Sequence, residues 1–340
     1  MTTTAEWRLG DRPATFSFYL TAHACKKNPA AAILAAEMAD AITIADAKGP
    51  EVAKRLRDAG LEAPILFDGM GYKEEVELRP EVWARQQVEA GAAHILLPGE
   101  FIPWDRDSDA VLTDIVREQG HIAADLDAMM LIATDIRWVA KRTQLVVDAL
   151  RSTSQNVALV LAHRADPLSV AGAVPGLRRV ASKIDGLFQL RGDHGAIGSA
   201  AFGAEHASIG LMTSTRHYAT AAMRPRRRPG SSARLFVRPL LDWFLASDAA
   251  GWTAAGGNVD CSLPCCGGNS LSRFLDPDLD ARWHNMNALA DFASYVLNAA
   301  PSDQPTVFVE ACRGAASQYG LAGFQGPESP KSQLTSWALS

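Results

Sequence analysis

A cluster of cysteines is the first feature of this sequence that could do chemistry. Cys261, Cys265 and Cys266 lie in a loop-like segment rich in glycine, and His284 follows them. Thiolates and imidazole are the ligands that tetrahedral zinc prefers, and a closed set of four such ligands stabilises structure rather than catalysing a reaction. The alternative is buried free thiols, which pack as small hydrophobic groups. The spacing favours a structural Zn²⁺ site, and whether both adjacent cysteines bind the ion is left open.

A carboxylate at the end of an apolar run is the second candidate. The segment 64–69 is PILFDG, so Asp68 stands where a strand would end, and Gly71 follows closely. Glycines let a flat ligand approach the backbone, and a carboxylate in this position suits acid–base or nucleophilic catalysis. Aspartate also caps turns at such positions. The sequence alone does not choose between the two roles.

A basic loop is the third candidate, and it consists of Arg224, Arg226, Arg227 and Arg228 in the segment MRPRRRPGSS. Prolines keep such a loop extended, and guanidinium groups bind phosphates in a forked geometry. A solvated surface loop would have the same composition. No GxSxG, Walker-type or GxGxxG motif follows a predicted strand, which argues against three common enzyme classes.

Eight apolar runs, separated mainly by stretches of helical periodicity, would have to position these side chains. The runs cover residues 16–22, 41–47, 64–69, 94–99, 157–162, 186–192, 207–212 and 234–239, and 125–150 has helical periodicity. Fully apolar runs favour buried parallel strands. Eight such units predict a (β/α)8 barrel, with an open doubly wound sheet as the alternative. In such a barrel, reactive groups lie at the C-terminal ends of the strands.

The composition is that of an ordinary globular protein. The chain has 340 residues, 48% of them hydrophobic, and a net charge of −5 that argues against nonspecific coating of nucleic acid. It has no apolar stretch of the ~20 residues that cross a bilayer, and two lysines follow the first apolar run, unlike a secretion signal. We expect a cytoplasmic protein with one domain over 1–340: a barrel over about 15–245, a zinc-binding subdomain over about 250–300, and a terminal helix and loose tail over 301–340.

The cysteine loop and the Asp68 strand together resemble the tRNA-guanine transglycosylases, most closely their archaeal and DNA-modifying branches. The family's zinc loop is C-x-C-x2-C, followed by a histidine at a helix start. Here Cys261 and Cys266 keep the first and last cysteines, Cys265 lies two places after the middle position, and WHNM (283–286) matches the histidine. The run ILFDGMGY (65–72) resembles the family's D-S-G-G-F-Q strand. The resemblance covers roughly residues 15–300.

This resemblance implies a barrel enzyme with structural zinc that exchanges guanine for a 7-deazaguanine-type base in tRNA or DNA. It implies that Asp68 supports base exchange and that Glu100, in ILLPGEFIP, recognises the purine. Gln189, in FQLRG, matches the family's V-Q-G-G turn, and the arginine loop would hold the strand. The implied partners are a nucleic acid and a 7-deazaguanine base, without a membrane; a homodimer or a partner protein is left open.

One departure from the family concerns the second aspartate, the nucleophile. Aligning MTSTR (212–216) with the family's M-P-T-R puts Gly210 near that aspartate. Asp193 is then the nearest candidate, and Asp242 is another. Three hypotheses stay open: a transglycosylase, a zinc-containing scaffold or nucleic-acid-binding protein of the same ancestry that has lost the nucleophile, and a barrel enzyme acting on a small molecule.

Overall fold

The computed structural model describes residues 14–73, 75–223, 233–255, 260–276, 279–319 and 329–339. The chain divides into two compact units, Met1–Met223 and Arg224–Ser340. Across the described ranges, no helix combines the length and the apolarity needed to cross a bilayer.

The first unit is built on eight parallel strands. They are β1 (Thr15–Thr21), β2 (Ala41–Ala45), β3 (Ile65–Asp68), β4 (Glu100–Ile102), β5 (Met130–Asp135), β6 (Val157–Ala162), β7 (Leu187–Gly192) and β8 (His206–Gly210). Their order in the sheet is β3-β2-β1-β8-β7-β6-β5-β4, which is chain order around a ring in which the first and last strands pair. The predicted α/β fold, a TIM-type (β/α)8 barrel, is confirmed.

Helices cover the outside of this sheet. They are α1 (Ala22–Lys27), α2 (Pro29–Glu37), α3 (Gly49–Asp58), α4 (Pro80–Glu89), α5 (Ala110–Asp125), α6 (Ile136–Lys141), α7 (Thr143–Ser152), α8 (Ala173–Ala181), α9 (His194–Ala201) and the short α10 (Thr213–Arg216). Side chains alternate along each strand between the two layers. On β2, Ile42 and Ile44 pack outward among the helices, whereas Ala45 faces the interior.

The sheet has a seam, because the strands at its two ends, β3 and β4, form no ladder with each other among the described residues. Backbone hydrogen bonds of the flanking segments join these ends instead. The Ala93 N–H donates to the Ile65 carbonyl at 2.8 Å, and the Gly71 N–H donates to the Pro98 carbonyl at 2.8 Å.

The barrel interior combines small and aromatic side chains. Ala45, Ala133 and Ala158 leave room for the rings of Tyr19 and Tyr72, and all five residues belong to one buried cluster. Small residues opposite large ones are what fills the inside of a narrow barrel.

Two strand predictions are corrected. Residues 234–239 were expected to form the eighth barrel strand, but they contribute to a separate antiparallel pair, and the missing barrel strand is β5, inside the stretch predicted as helical. Residues 126–129 separate β5 from α5, and α6 follows β5 directly, so helical periodicity on both sides hides the strand. The run 94–99 forms only an isolated bridge, Leu96 to Met129, and β4 begins at Glu100.

The described residues of the second unit form the antiparallel strands β9 (Arg234–Val237) and β10 (Asp242–Leu245) and four α-helices. The helices are α11 (Ala246–Ala254), α12 (Ala281–Leu297), α13 (Gln304–Gln318) and α14 (Ser332–Ala338). Where a loose tail was expected, α13 and α14 pack together, with the rings of Phe308 and Trp337 edge to face at 5.0 Å. Both rings are fully buried, and the Arg313 guanidinium also donates to the Ala338 carbonyl at 2.8 Å.

Candidate functional site

Asp68 lies at the C-terminal end of β3, as predicted, and it is fully buried. Its Oδ2 accepts hydrogen bonds from the hydroxyls of Tyr19 at 2.5 Å and Tyr72 at 2.7 Å. Its Oδ1 accepts the N–H of Met70 at 2.8 Å. The carboxylate is therefore held by three donors, and a ligand reaches it only if Tyr72 or Tyr19 releases it.

Arg191 closes this network from the other side of the barrel. Its Nη1 donates to the Tyr72 hydroxyl at 2.9 Å, so Tyr72 links Asp68 to the guanidinium. Its Nη2 donates to the carbonyls of Ser214 at 2.6 Å and His217 at 3.2 Å. The result is a continuous hydrogen-bonded chain from the end of β3, across the barrel, to the segment after β8.

A bulge in β7 directs Arg191 inward. The pairing of β7 with β8 shifts register between Gln189 and Gly192, and Arg191 has a φ of +54°. A left-handed conformation is unusual for a residue with a side chain and is tolerated where the surroundings hold it. An extra residue in one strand reverses the facing of the side chains that follow. Leu190 and Arg191 therefore both contribute to the interior.

The tyrosines of the network are kept protonated by their surroundings. Burial raises the pKa of Tyr19, and the nearby Asp68 carboxylate raises it further. Burial also raises the pKa of Tyr72, although Arg191 opposes this. Both hydroxyls are thus hydrogen-bond donors to Asp68 over the whole physiological pH range.

Asp193 lies at a second, more accessible place on the same edge of the barrel. It follows β7, its Oδ1 accepts the N–H of Gly195 at 2.9 Å at the start of α9, and its side chain is 14% exposed. Burial alone would raise the pKa of Asp193, but His194, the Gly195 N–H and Arg216 together hold it below its usual value. The site therefore offers an ionised carboxylate close to solvent.

His217 is a neutral neighbour of Asp193. Burial lowers the pKa of His217 to about 4, and the charge of Arg216 lowers it further, against the opposing effect of Asp193. A carboxylate, a neutral imidazole and a guanidinium whose charges influence one another can act as nucleophile, proton acceptor and anion-binding group.

The structure also shows why Gly210, which the resemblance aligned near the family's nucleophile, carries no side chain. A Cβ on Gly210 would lie 2.3 Å from both the carbonyl carbon and the oxygen of Thr215. The turn into α10 therefore requires glycine at this position. Asp242, the other candidate, lies in the second unit, where it binds the Lys331 ammonium at 2.5 Å.

Three predicted substrate-binding residues do not join the Asp68 network. Glu100 begins β4, and its Oε2 accepts a hydrogen bond from Gln119 of α5 at 3.2 Å, whereas the next residue, Phe101, packs on the interior. Gln189 alternates with the interior residue Phe188 and so lies on the opposite face of β7. Gly71 packs against the chain, because a Cβ there would meet the Pro98 side chain at 2.7 Å.

The roles assigned to these three residues stay predictions. The arginine loop, with Arg224, Arg226, Arg227 and Arg228, lies outside the described residues.

A tight turn builds the predicted metal site. The Cys261 N–H donates to the Asn269 carbonyl at 3.1 Å and the Cys266 N–H donates to the Leu263 carbonyl at 2.9 Å, which folds the loop back on itself. The two glycines that follow Cys266 have φ values of +59° and +82°, conformations that residues with a side chain rarely adopt. The turn brings Cys261 beside the adjacent pair of cysteines.

The four predicted ligands converge on one point. The Nδ1 of His284 lies 3.7 Å from the sulfur of Cys261, 3.9 Å from that of Cys265 and 3.4 Å from that of Cys266. The sulfurs of Cys265 and Cys266 are 3.7 Å apart, so both adjacent cysteines face the same point. Tetrahedral zinc, with bonds of about 2.3 Å to sulfur and about 2.0 Å to nitrogen, requires ligand separations of about 3.5–3.8 Å. This cluster could hold a metal ion.

Neighbouring groups orient and balance this cluster. The Nε2 of His284 lies 3.0 Å from the Phe236 carbonyl of β9, which fixes the ring so that Nδ1 faces the cysteines. Arg273 donates to the sulfur of Cys266 at 3.2 Å and to the carbonyl of Cys265 at 3.1 Å. Three thiolates and a dication carry one negative charge, which one guanidinium offsets.

The sequence did not indicate the strand end at Asp135 or the role of Tyr19. Asp135 ends β5, the strand hidden in the helical stretch, and it binds Arg137 through both oxygens at 2.8 and 2.7 Å. Tyr19 belongs to no recognisable motif, because it occupies the middle of an apolar run. The inward turn of Arg191 depends on the bulge, which no local pattern marked.

No family model and no curated protein matches this chain. Solved structures that are similar include a mutant tryptophan synthase α-subunit from Pyrococcus furiosus, with 16% identity over 58% of this chain and 88% of that one and a TM-score of 0.38. A 3-hexulose-6-phosphate synthase has 15% identity over 58% and 90% of the chains, with a TM-score of 0.35. A type I 3-dehydroquinate dehydratase from Clostridium difficile has 10% identity over 62% and 89%, with a TM-score of 0.34. The barrel assignment rests on the strand order.

Proposed function

We propose that this chain is a zinc-containing barrel enzyme that exchanges guanine for a 7-deazaguanine-type base in a nucleic acid, tRNA or DNA. The observation that supports this best is Asp193. It is a partly exposed carboxylate at the C-terminal edge of the barrel, and the hydrogen bond from the Gly195 N–H and the charge of Arg216 favour its ionised form. Catalytic groups of barrel enzymes lie at this edge.

Exchange of a base at C1′ of a nucleotide proceeds in two displacements. In the first, a carboxylate oxygen of Asp193 bonds to C1′ while the bond from C1′ to the guanine nitrogen breaks, and the departing guanine takes up a proton. In the second, the nitrogen of the incoming base bonds to C1′, releases its proton and frees Asp193. This is the logic of retaining glycosidases applied to a nucleotide.

Asp68 is the second carboxylate, and we assign it the transfer of the proton. Its contact with a base requires Tyr72 to leave it, because both tyrosine hydroxyls cover Oδ2 when no ligand is bound. The target nucleotide must leave its stack to enter the barrel mouth. We assign the binding of the strand's phosphates to the arginines at 224–228, as the resemblance implies.

The metal in this proposal is Zn²⁺ on Cys261, Cys265, Cys266 and His284. A tetrahedral set of thiolates and one imidazole is typical of zinc, and four protein ligands leave no position for a substrate. Its role is therefore structural: it ties the cysteine loop to α12, which holds β9 through Asn285, whose Oδ1 accepts the Phe236 N–H at 2.8 Å.

Incorporation of a radiolabelled 7-deazaguanine base into tRNA and into duplex DNA tests the proposal directly. We expect incorporation by the wild type, none by Asp193→Asn, and a strong loss in Asp68→Asn, because each change removes one charge at nearly constant shape. Asp58→Asn, at the exposed end of α3, is the matched control and should exchange like the wild type. Normal exchange by Asp193→Asn, with the fold checked by circular dichroism, would exclude Asp193 as the nucleophile.

A second candidate is a scaffold that binds a nucleic acid without exchange. Two observations favour it: glycine is required at position 210, and Asp68 is fully occupied by donors in the chain itself. A scaffold would bind the nucleic acid and never incorporate label with either polymer, so the same assay separates the two candidates.

A further inference from the structure

A basic cleft lies on the flank of the barrel, among α6, α7 and α8. Its volume is about 1010 Å³. Lys141, Arg142, Arg178 and Arg179 line it, whereas Asp109 is the one carboxylate among the described lining residues. In a chain with a net charge of −5, this is a strong local concentration of positive charge. Such a surface attracts a polyanion.

Close helix packing fixes the two sides of the cleft. A Cβ on Gly176 of α8 would lie 2.1 Å from the Val139 carbonyl of α6, and a Cβ on Gly172 would lie 2.7 Å from the Ala140 carbonyl. Because glycine allows this approach, the arginines of α8 face the cations at the junction of α6 and α7.

The cations are positioned without being neutralised. Arg178 stacks on the ring of Phe202, with 4.2 Å between the guanidinium carbon and the ring centroid. Arg179 donates to the amide oxygen of Gln144, which carries no charge. Among the described residues, one ion pair involves these four cations, and it joins Arg142 Nε to Asp109 Oδ1, 3.9 Å apart. That exposed pair contributes little to stability, so it can be exchanged for a phosphate at small cost.

An aromatic side chain stands next to this cleft. Trp104 follows β4, and its ring lies 5.9 Å from the ammonium of Lys141, which also lines the cleft, and 5.6 Å from the guanidinium of Arg137. The ring is braced by Trp138, at 4.8 Å between centroids. Proteins usually hold a single strand with cations that bind its phosphates and an aromatic ring that stacks on its bases.

We propose that this cleft binds the phosphates of a single-stranded nucleic-acid segment and that Trp104 stacks on one of its bases. The inference rests on the proposed function, since it supplies a path for the strand leading away from the barrel mouth. Three of the four cations are arginines, whose planar fork matches phosphate oxygens. An acidic polypeptide would use the charges but would not need the aromatic face.

Binding of a fluorescein-labelled single-stranded oligodeoxynucleotide of mixed sequence, followed by anisotropy over a series of salt concentrations, tests this. The variant Arg142→Gln/Arg179→Gln changes two exposed side chains. We expect its affinity to fall at least about fivefold and the salt slope to shrink by about 1.4, since each phosphate contact of a single strand contributes about 0.7. Trp104→Leu should lower affinity about tenfold with an unchanged salt slope.

The matched control is Lys54→Gln/Arg55→Gln, which removes two exposed charges from α3 and should bind like the wild type. Equal affinity and equal salt slope for the cleft variant would overturn the proposal, as would competition by polyglutamate as strong as that by unlabelled oligonucleotide.

Base exchange is measured separately. Loss of binding in the cleft variant without incorporation by the wild type would refute only the exchange activity. Incorporation by the wild type with unaltered binding in the cleft variant would refute only the cleft.

Discussion

The chain of hydrogen bonds from Asp68 through Tyr72 to Arg191 should behave as one energetic unit. Asp68 is fully buried and Arg191 is 5% exposed, and the Tyr72 hydroxyl donates to the first and accepts from the second. Removing one charge leaves the other buried without its counterpart. We predict that Asp68→Asn and Arg191→Met, made singly and together, have strongly non-additive effects on the free energy of unfolding.

The expected sizes follow from the partners that remain. Asp68→Asn leaves the guanidinium with two backbone carbonyls and the neutral Tyr72, and should cost about 3 kcal/mol. Arg191→Met leaves the carboxylate with three donors, so the cost should be nearer 2 kcal/mol. The double variant should cost about 3–4 kcal/mol, which gives a coupling energy of about 1–2 kcal/mol.

Urea unfolding followed by circular dichroism measures each variant. The control is the same set of single and double variants at the exposed pair Glu51 and Arg55, where Oε1 and Nη2 are 2.8 Å apart. It should show almost no coupling because both side chains are solvated. Additive effects of Asp68→Asn and Arg191→Met, within about 0.5 kcal/mol, would refute the idea that the interior charges depend on each other.

Three further predictions concern the metal, the pH dependence and the end of β8. Cys266→Ser should purify with little zinc by elemental analysis and melt at a lower temperature, whereas Cys312→Ser, at a buried thiol outside the cluster, should keep the metal; equal zinc in both would exclude the site. Burial lowers the pKa of His206 to about 3, so the folded state keeps it neutral while the unfolded chain binds a proton below about pH 6.5. The neutral His206 therefore contributes its full stability above that pH, and the contribution is lost towards pH 3 by up to about 1.4 kcal/mol per pH unit. In His206→Gln the free energy of unfolding should fall less steeply with acid. An unchanged slope would contradict this. Gly210→Ala should lower the free energy of unfolding by about 1–3 kcal/mol because its Cβ meets the Thr215 carbonyl. Gly314→Ala, on α13 with open space around it, should raise the free energy of unfolding by about 0.5–1 kcal/mol. Urea unfolding compares the two variants, and a neutral Gly210→Ala would show that the turn can adjust.

The barrel could be predicted because its signal is local and repeated. Runs such as VALVLA at 157–162 are apolar throughout, as buried parallel strands require. The predicted number of barrel strands, eight, is right, but one predicted strand is wrong. Helices flank β5 and hide it, whereas β9 has the same apolar character as a barrel strand. Composition cannot distinguish a strand that pairs in the barrel from one that pairs outside it.

Convergence of the metal cluster could also be expected, because ligand type and spacing limit where such side chains can go. The surroundings of Asp68 could not be predicted from the sequence. They depend on Tyr72 and Arg191, which are 119 residues apart in sequence, and on a bulge that turns Arg191 inward. Contacts between distant strands, and not local patterns, determine which neighbours a catalytic candidate has.

The seam between β3 and β4 gives the barrel a place to open. Elsewhere, separating neighbouring strands would break a ladder of backbone hydrogen bonds, whereas in the described part of this region the backbone links are those from Ala93 to Ile65 and from Gly71 to Pro98. Gly71 immediately precedes Tyr72, which covers Asp68. The segment that joins the two ends of the sheet therefore runs directly into the tyrosine that covers the buried acid. Amide exchange should be fastest there.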